Sequence, residues 1–424
     1  MQCHAYELKY IGLLFDRRPA TLVLTLVGHW VWSEILKMKQ LASAATSVTR
    51  LDAITRARQI AMNDRSPLPA GWIAPWVERS WQRCLQLGLA PQQPVVFDTV
   101  THQQMQRTRE ANQRLVQTAK PILENLGRAI VNTRYFAILT NCDGVVIDTS
   151  GAIDRSDPRA DLITRIGTDL SERSVGTTAI GAALNELQPV WLHRGEHFFS
   201  NTAVYSCAGA PLWGPDGACV GMLDLTGIDA VERPELKHLV TQTASHIENA
   251  LVLAQPHALM VRLNWPGNTL GTDADGIVCL DADGWITAAN PIARQMVAHL
   301  GANSHAQEQT SAGTTLVHVS EVFGIAFELL FDAVHRGDPV LDIPLWNGLR
   351  LQALAVAPAQ ETQTLHADPH SSGRNRMPLK DIEAALIRRA VDQARGNVAQ
   401  AAQALGISRA TVYRKLGQKS QKID

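Results

Sequence analysis

Three groups of residues have types and spacings that could do chemistry. His193-Arg194-Gly195-Glu196-His197 has the H-x-x-E-H form, in which two imidazoles can hold zinc while the glutamate serves as base. That chemistry needs a helix, so that imidazoles four residues apart share one face. Here the pentapeptide follows the strand-like run Pro189 to Leu192 and contains Gly195. A loop without metal is therefore predicted, with a zinc-dependent enzyme as the alternative. Cys207 and Cys219 form the second group. Apolar surroundings would make them ordinary core thiols, and a thiol-dependent enzyme or redox sensor would need a lowered pKa. No phosphate-cradling G-x-x-x-x-G-K-[ST] occurs in the 424 residues, so P-loop ATP chemistry has no sequence basis in this chain.

The third group is Ser408, Arg409, Thr411, Arg414, Lys415 and Lys419. At about 100° per residue, Val412 and Leu416 share one face of a helix, whereas Thr411, Arg414 and Gln418 point the other way. Ser408 caps that helix after the tight turn Gly406-Ile407. Upstream, Asn397 caps an Ala-rich helix, and Gly396 reverses the chain after a helix from Leu379 to Ala394. This is the outline of a helix-turn-helix whose third helix enters the major groove of DNA. Arg409 and Arg414 suit guanine edges, Thr411 a thymine methyl or a phosphate, and Lys415 and Lys419 phosphates. From Arg374 onward there are 11 Lys/Arg against 4 Asp/Glu, a balance of +7 that leaves −8 on the rest of a chain whose net charge is −1. A basic end on a mildly acidic body has the charge distribution of a DNA-binding module attached to something else.

The elements upstream must position whatever that something is. Residues 41–62 look helical, and residues 101–133 read as one long helix with Leu115, Ala119, Ile122, Leu126 and Ala129 at alternating steps of four and three. A second such helix, 235–254, carries Leu236, Val240, Thr243, Ile247, Ala250 and Ala254 in the same rhythm. The two could be paired stalks of a homodimer, or each could pack on its own domain. Between them, residues 134–227 alternate strands and turns. YFAILT and VVIDTS flank Asn141-Cys142-Asp143-Gly144, a strand lies at Ala203 to Cys207, and GPDG links APLW to ACVGMLDLTG. A second sheet domain is predicted to start near Gly271, with a hairpin across Asp281-Ala282-Asp283-Gly284, a helix from Pro291, a polar loop at 301–314 and a helix within FGIAFELLFDAVHRG. Two further strands close that domain, in PVLDIPLW and LRLQALAVA. Residues 358–378 read as a linker.

GNVAQAAQALGISRATVYRKL (396–416) closely resembles the Fis-type helix-turn-helix that ends bacterial enhancer-binding activators. Ser80-Trp81-Gln82-Arg83-Cys84, the segment Gly176 to Gly181, Glu196-His197-Phe198, Cys207 to Pro211 and Leu223 to Gly227 are similar to the acetoin-catabolism activator branch and its GAF sensor domain. Gly271 to Asn290 is similar to the PAS-like segment that follows. The resemblance covers residues 70–424. It implies an α+β fold: a GAF-like sensor at 67–255 after an N-terminal extension at 1–66, a PAS-like domain at 256–357, the linker, and an all-α helix-turn-helix at 379–424. It also implies a small-molecule pocket in the sensor, whose candidate lining residues are Thr177, Thr178, His197, Cys207 and Asp224, although these could equally be scaffold. Two departures stand out: Leu170 occupies a position where the family often has Trp, and the central ATPase of such activators has no counterpart between sensor and helix-turn-helix.

The bulk numbers are compatible with that outline. The 46% hydrophobic and 19% charged content describes a globular protein of several domains. Six cysteines without a CxxC pair argue against a disulfide framework or structural zinc and for a reducing cytoplasm. Ala20 to Leu36 is apolar but short and interrupted by His29, Ser33 and Glu34, so no membrane span is predicted and Met38 is the expected true start. The expectation is a cytoplasmic, dimeric, non-enzymatic regulator without a cofactor, with double-stranded DNA, an unknown small-molecule effector and RNA polymerase as its partners. A purely architectural DNA-bending protein is the remaining alternative.

Overall fold

The computed structural model describes residues 50–64, 66, 68–69, 71–97, 100–301, 317–337 and 339–358, together with Ile387, Val391, Ala394, Val398, Gln400, Ala402, Arg409 and Val412. The apolar stretch at 20–36, the polar loop at 301–314 from residue 302 on, and the linker from residue 359 on lie outside the described residues. The chain divides into two compact units, Met1–Pro358 and Ala359–Asp424.

In the first unit, a helix from residue 50 continues as a π-helical turn, Gln59–Asp64. It is followed by α1 (Pro75–Gln86), which Pro75 opens by supplying a pre-set φ where no N–H bond is needed. The long helix predicted at 101–133 is two helices, α2 (His102–Ala111) and α3 (Gln113–Ala129), divided at Asn112. Asn112 leaves helical geometry and turns its side-chain amide onto the Thr108 carbonyl, a local bond that competes with helix continuation.

The first sheet contains β1 (Tyr135–Asn141), β2 (Val146–Ser150), β3 (Val190–His193), β4 (Tyr205–Trp213) and β5 (Cys219–Ile228) in the antiparallel order β2-β1-β5-β4-β3. Asn141 Oδ1 accepts from the N–H of Asp143 and Val145 and so closes the expected β1–β2 turn. The two strands read at 203–207 and in APLW are one strand, β4, paired with β5 from Tyr205 to Trp213. Pro211 does not break it, because β3 pairs only with Ser206 to Gly209 and no neighbour on that side needs the missing N–H.

Alternation along β5 sorts the sheet into two faces. Leu223 and Leu225 join Tyr135, Ala137, Leu139, Ala208 and Leu212 beneath α3 and α5 (Leu236–Leu253). Met222 joins Phe136, Ile138, Tyr205 and Cys207 on the opposite face, with α1 and α4 (Ala179–Glu186). The two helices read as possible stalks therefore spend their apolar stripes on their own sheet. In α3 the buried positions are Leu115, Ala119, Leu123 and Leu126, with Ile130 beyond its end, rather than Ile122 and Ala129. In α5, Leu236, Val240, Thr243 and Ile247 are buried as read, but the stripe then shifts to Leu251 and Val252. Val252 packs on the second sheet, against Ile277, Cys279 and Ala288.

The second sheet is β6 (Leu259–Asn264), β7 (Gly276–Leu280), β8 (Ile286–Ala289), β9 (Val340–Pro344) and β10 (Arg350–Val356), in the antiparallel order β8-β7-β6-β10-β9. Its central strand, β6, lies upstream of Gly271, where the hairpin pattern placed the first strand, but inside the 256–357 bounds that the resemblance implies. The alternating burial of Leu259, Val261 and Leu263 was its signal. The helices α6 (Pro291–Met296) and α7 (Glu328–Arg336) flank this sheet, α6 capped by Asn290 Oδ1 as it accepts from Ala293 N–H. Among the described residues no helix is long and apolar enough to cross a membrane.

In the second unit Ile387, Ala402 and Val412 are buried in one cluster, with Val391 and Val398 packed against it. These five come from all three helices read in the sequence, and Val412 lies on the inward face assigned to it. Arg409 is helical and exposed.

Candidate functional site

Four of the five residues proposed to line a pocket do line one. Thr178, His197, Cys207 and Asp224 share a cavity of about 40 Å³ with Phe97, Ile138, Leu170, Ile180 and Tyr205, among others. The fifth, Thr177, is buried but faces elsewhere: its hydroxyl lies 2.7 Å from Ser80 Oγ and 3.5 Å from Cys84 Sγ. Sequence reasoning missed Tyr205 and Thr226, although Thr226 belongs to the same β5 motif as Asp224.

Backbone geometry puts these groups together. Asp224 on β5 sits opposite Ile138 on β1 and Gly209 on β4. A Cβ at Gly209 would come within 2.6 Å of Met222 Cε and 3.1 Å of the Ala179 carbonyl oxygen, so glycine there lets the start of α4 close over the sheet. Thr178 caps α4, its hydroxyl accepting from Gly181 N–H. Gly176, at φ +66°, makes the turn before it, with Phe198 and Phe199 too close for any side chain.

Nearly every polar group at the cavity already has a partner. Tyr205 donates to the Arg159 carbonyl, Thr202 to the Phe199 carbonyl, and Thr226 to Asp224 Oδ2. His197 Nδ1 lies 2.9 Å from the Arg194 carbonyl, which fixes the proton on Nδ1 and leaves Nε2, 3.5 Å from Cys207 Sγ, as an acceptor. Asp224 Oδ1 is the exception, buried without a hydrogen-bond partner. Burial drives the Asp224 carboxyl up to about 7, and the Thr226 hydroxyl offsets this only in part. Burial likewise pushes the Cys207 thiol well up and holds His197 down to about 4. The Cys–His pair is thus a neutral thiol beside a neutral imidazole, the reverse of an activated nucleophile.

The H-x-x-E-H segment holds the cavity's wall and does not form a metal centre. His193 ends β3, and Arg194–Glu196 is a short 3-10 turn. The His193 ring stacks near Trp191 on the face beneath α3 and α5, 2.8 Å from Ser206, whereas His197 lines the cavity on the opposite face. Two imidazoles on opposite sides of a sheet cannot share one ion. No cluster of His, Cys, Asp and Glu suited to a metal occurs among the described residues. Glu196 instead accepts from His193 N–H and from Arg50, which also pairs with Glu232.

Two arginines far away in sequence lock this wall from outside. Arg58 donates to the carbonyls of Gly195, His197 and Phe198 and stacks 5.7 Å above the Trp81 ring, whose Nε1 donates to the Glu196 carbonyl. Arg83 holds Glu172 bidentately, at 2.7 and 3.0 Å, and also bonds Glu186 of α4 at 2.9 Å. Ser80 donates to Glu172 and therefore accepts from Thr177. The SWQRC segment (80–84) is thus the latch that fastens α1 to the turn preceding α4. Neither Arg50 nor Arg58 carries a local sequence signal, because each works through partners more than 130 residues away.

Of the six DNA-contact candidates, Arg409 is exposed on a helix, consistent with its assigned position. Ser408, Thr411, Arg414, Lys415 and Lys419 lie outside the described residues.

Comparison with known proteins agrees with both ends of this picture. Residues 378–418 match the model of the bacterial regulatory protein, Fis family, and residues 49–249 match the model of the MimR N-terminal domain. The chain therefore ends in a Fis-family helix-turn-helix, the class of module that binds DNA. Among curated proteins it is similar to the acetoin catabolism regulatory protein of Cupriavidus necator, 28% identical over 269 residues, covering 61% of this chain and 37% of that protein. It is also similar to the acetoin dehydrogenase operon transcriptional activator AcoR of Bacillus subtilis, 26% identical over 221 residues, 52% of this chain and 36% of that protein. The propane 2-monooxygenase operon transcriptional activator MimR of Mycolicibacterium goodii is 29% identical over 181 residues, 42% of this chain and 30% of that protein. The matched stretches span between 30% and 37% of these relatives, two of which are named as transcriptional activators and the third as a regulatory protein. Among solved structures, the E. coli DhaR(N)-DhaL complex aligns with a TM-score of 0.40 at 14% identity, covering 68% of this chain and all of that chain.

Proposed function

We propose that the protein is a cytoplasmic, homodimeric regulator of transcription in which a GAF-like sheet, β1 to β5, senses a small molecule and the Fis-type end reads DNA. The observation that carries the reading is the Fis-family match at 378–418, supported by the shared buried cluster of Ile387, Ala402 and Val412 and by the exposed helical Arg409. The second sheet is read as the PAS-like segment, residues 358–378 as a linker, and the cavity at Asp224 as the effector site. Occupancy of that cavity would be felt at His197, whose carbonyl Arg58 holds, and at α4, which Arg83 holds through Glu186. It would thereby bias elements at the surface of the sensor and, in a dimer, the spacing of the two readers on a palindromic site. The protein would act with RNA polymerase by recruitment or by blocking, without driving promoter opening through ATP hydrolysis.

Selection of bound sequences from a genomic library, followed by footprinting, tests this. A protected site with two half-sites is expected, and Arg409→Ala should lose about 1–3 kcal/mol of specific binding, the worth of a bidentate base contact. Binding without sequence preference, equal in the wild type and in Arg409→Ala, would overturn the reading.

A further inference from the structure

We propose that Arg294 is a positioning residue that clasps the turn between β4 and β5 to the second sheet, so that the two sheets move as one body and not about a hinge. The turn, Gly214 to Gly217, is closed by the Gly214 N–H on the Ala218 carbonyl at 2.8 Å. It joins the two strands that carry Cys207 and Asp224. The clasp holds whether or not the cavity at those residues takes an effector, because it concerns only how the first sheet is joined to the second.

The turn is gripped at its root and at its tip. At the root, Trp213 N–H donates to Glu248 Oε1 of α5 at 3.0 Å. The next residue of that helix, Asn249, serves the second domain, donating to the Asp273 carbonyl and accepting from Asn290 Nδ2 at 2.8 Å. At the tip, the Pro215 carbonyl accepts from Ala289 N–H of β8 at 3.1 Å and from Arg294 Nη2 of α6 at 2.7 Å. β8 is an edge strand, so it has this N–H to give to another element. The Arg294 guanidinium also donates from Nη1 to the Leu300 carbonyl at 2.6 Å and from Nε to the Ala289 carbonyl at 3.3 Å. A rigid planar fork that serves carbonyls on both sides of the joint cannot turn away from one without leaving the others. Gly217, at φ +87°, lets it approach, since a Cβ there would lie 3.0 Å from Arg294 Cζ. Burial lowers the pKa of the guanidinium and Asp216 of the same turn opposes this, so the turn supplies a counter-charge as well as an acceptor. A hinge needs a few residues free to absorb a change in φ and ψ. Here helix, turn and edge strand are all bonded across the joint.

Hydrogen–deuterium exchange of the full-length protein, read by mass spectrometry, tests this by perturbing one side of the joint and reading the other. Arg294→Ala should speed exchange about tenfold in the turn segment 213–218 as well as in 286–301, and leave the hairpin at 141–146 unchanged. Gly217→Ala, whose Cβ strikes the guanidinium, should speed exchange in 286–301 from the first-sheet side, as reciprocal coupling requires. Arg294→Lys, with a charge but no fork, should fall between the wild type and Arg294→Ala in the turn. Arg262→Ala is the control: its bonds to Thr272 and Asp275 stay within the second domain, so the turn should not respond. The Gly217 and lysine variants keep the test decisive if Arg294→Ala does not fold. Faster exchange confined to 286–301 in Arg294→Ala would make Arg294 a local support of α6 and overturn the proposal. So would a Gly217→Ala response confined to 213–218, a turn equally sensitive to Arg262→Ala, or a wild-type turn that exchanges as fast as that of Arg294→Ala.

Discussion

Replacing Asp224 with asparagine should stabilise the protein, and more so as the pH rises. A carboxyl whose folded pKa is raised holds its proton in the native state after the unfolded chain has lost it. Stability therefore falls as pH rises from the ordinary value of 3.8 to the folded value of about 7, and the full penalty is present above that. Between pH 5.5 and pH 8.5 the native group adds about 1.5 pH units of this penalty, or about 2 kcal/mol at 1.36 kcal/mol per unit. Asparagine keeps an oxygen for the Thr226 hydroxyl and never ionises. The gain of Asp224→Asn over the wild type should thus be about 2 kcal/mol larger at pH 8.5 than at pH 5.5. His193, His197 and Glu248 titrate in both proteins and cancel from the comparison. Urea unfolding of wild type and variant at the two pH values, at matched ionic strength, measures this directly. A gain that is the same at both pH values, or a variant less stable than the wild type at pH 8.5, would refute the assignment of Asp224 as a carboxyl ionised against its surroundings.

Arg58→Ala should cost about 3 kcal/mol of stability, because three carbonyls lose a charged donor and Trp81 loses its stacked partner. Arg58→Lys should restore only part of this, since an ammonium cannot reproduce the planar fork, and the urea midpoint reads both. His193 and His197 are each held down to about 4, so the native state stays neutral while the unfolded chain takes up protons below 6.5. Unfolding free energy should therefore fall as pH drops from 6.5 toward 4, by about 1.4 kcal/mol per unit for each histidine, and His197→Gln should reduce that slope. Lys419→Ala should weaken binding to all DNA sequences alike and flatten the salt dependence; a loss confined to one sequence would contradict its phosphate role. On a promoter of the nitrogen-type alternative sigma factor, the pure protein should form no ATP-dependent open complex, because no P-loop is present to cradle phosphates; open complexes in transcription in vitro would contradict this.

Local periodicity was enough to determine the helix-turn-helix. Its caps, its turn and the inward Val412 each depend on residues within a few positions, and the buried cluster of Ile387, Ala402 and Val412 agrees with them. The hairpin at Asn141 to Gly144 was legible for the same reason, whereas the cavity candidates came only from the resemblance to a GAF sensor, and four of the five line the cavity. Tertiary structure decided what short range cannot encode. The apolar stripe of α3 could have faced a second chain or its own sheet, and packing chose the sheet and moved the buried positions to Leu123 and Ile130. Strand β4 runs through Pro211 only because β3 stops at the residue pairing with Gly209. The pentapeptide at 193–197 has metal-site spacing, yet the 3-10 turn Arg194–Glu196 carries the second imidazole off the strand and over the opposite face. Asp224 looks like any strand carboxylate in the sequence. It acquires an unpaired oxygen and a pKa near 7 because β1, β4 and α4 close over it and only Thr226 reaches it. Charge, hydrogen bonding and burial at one residue depend on neighbours brought from distant segments, and that assembly exists only in the folded chain.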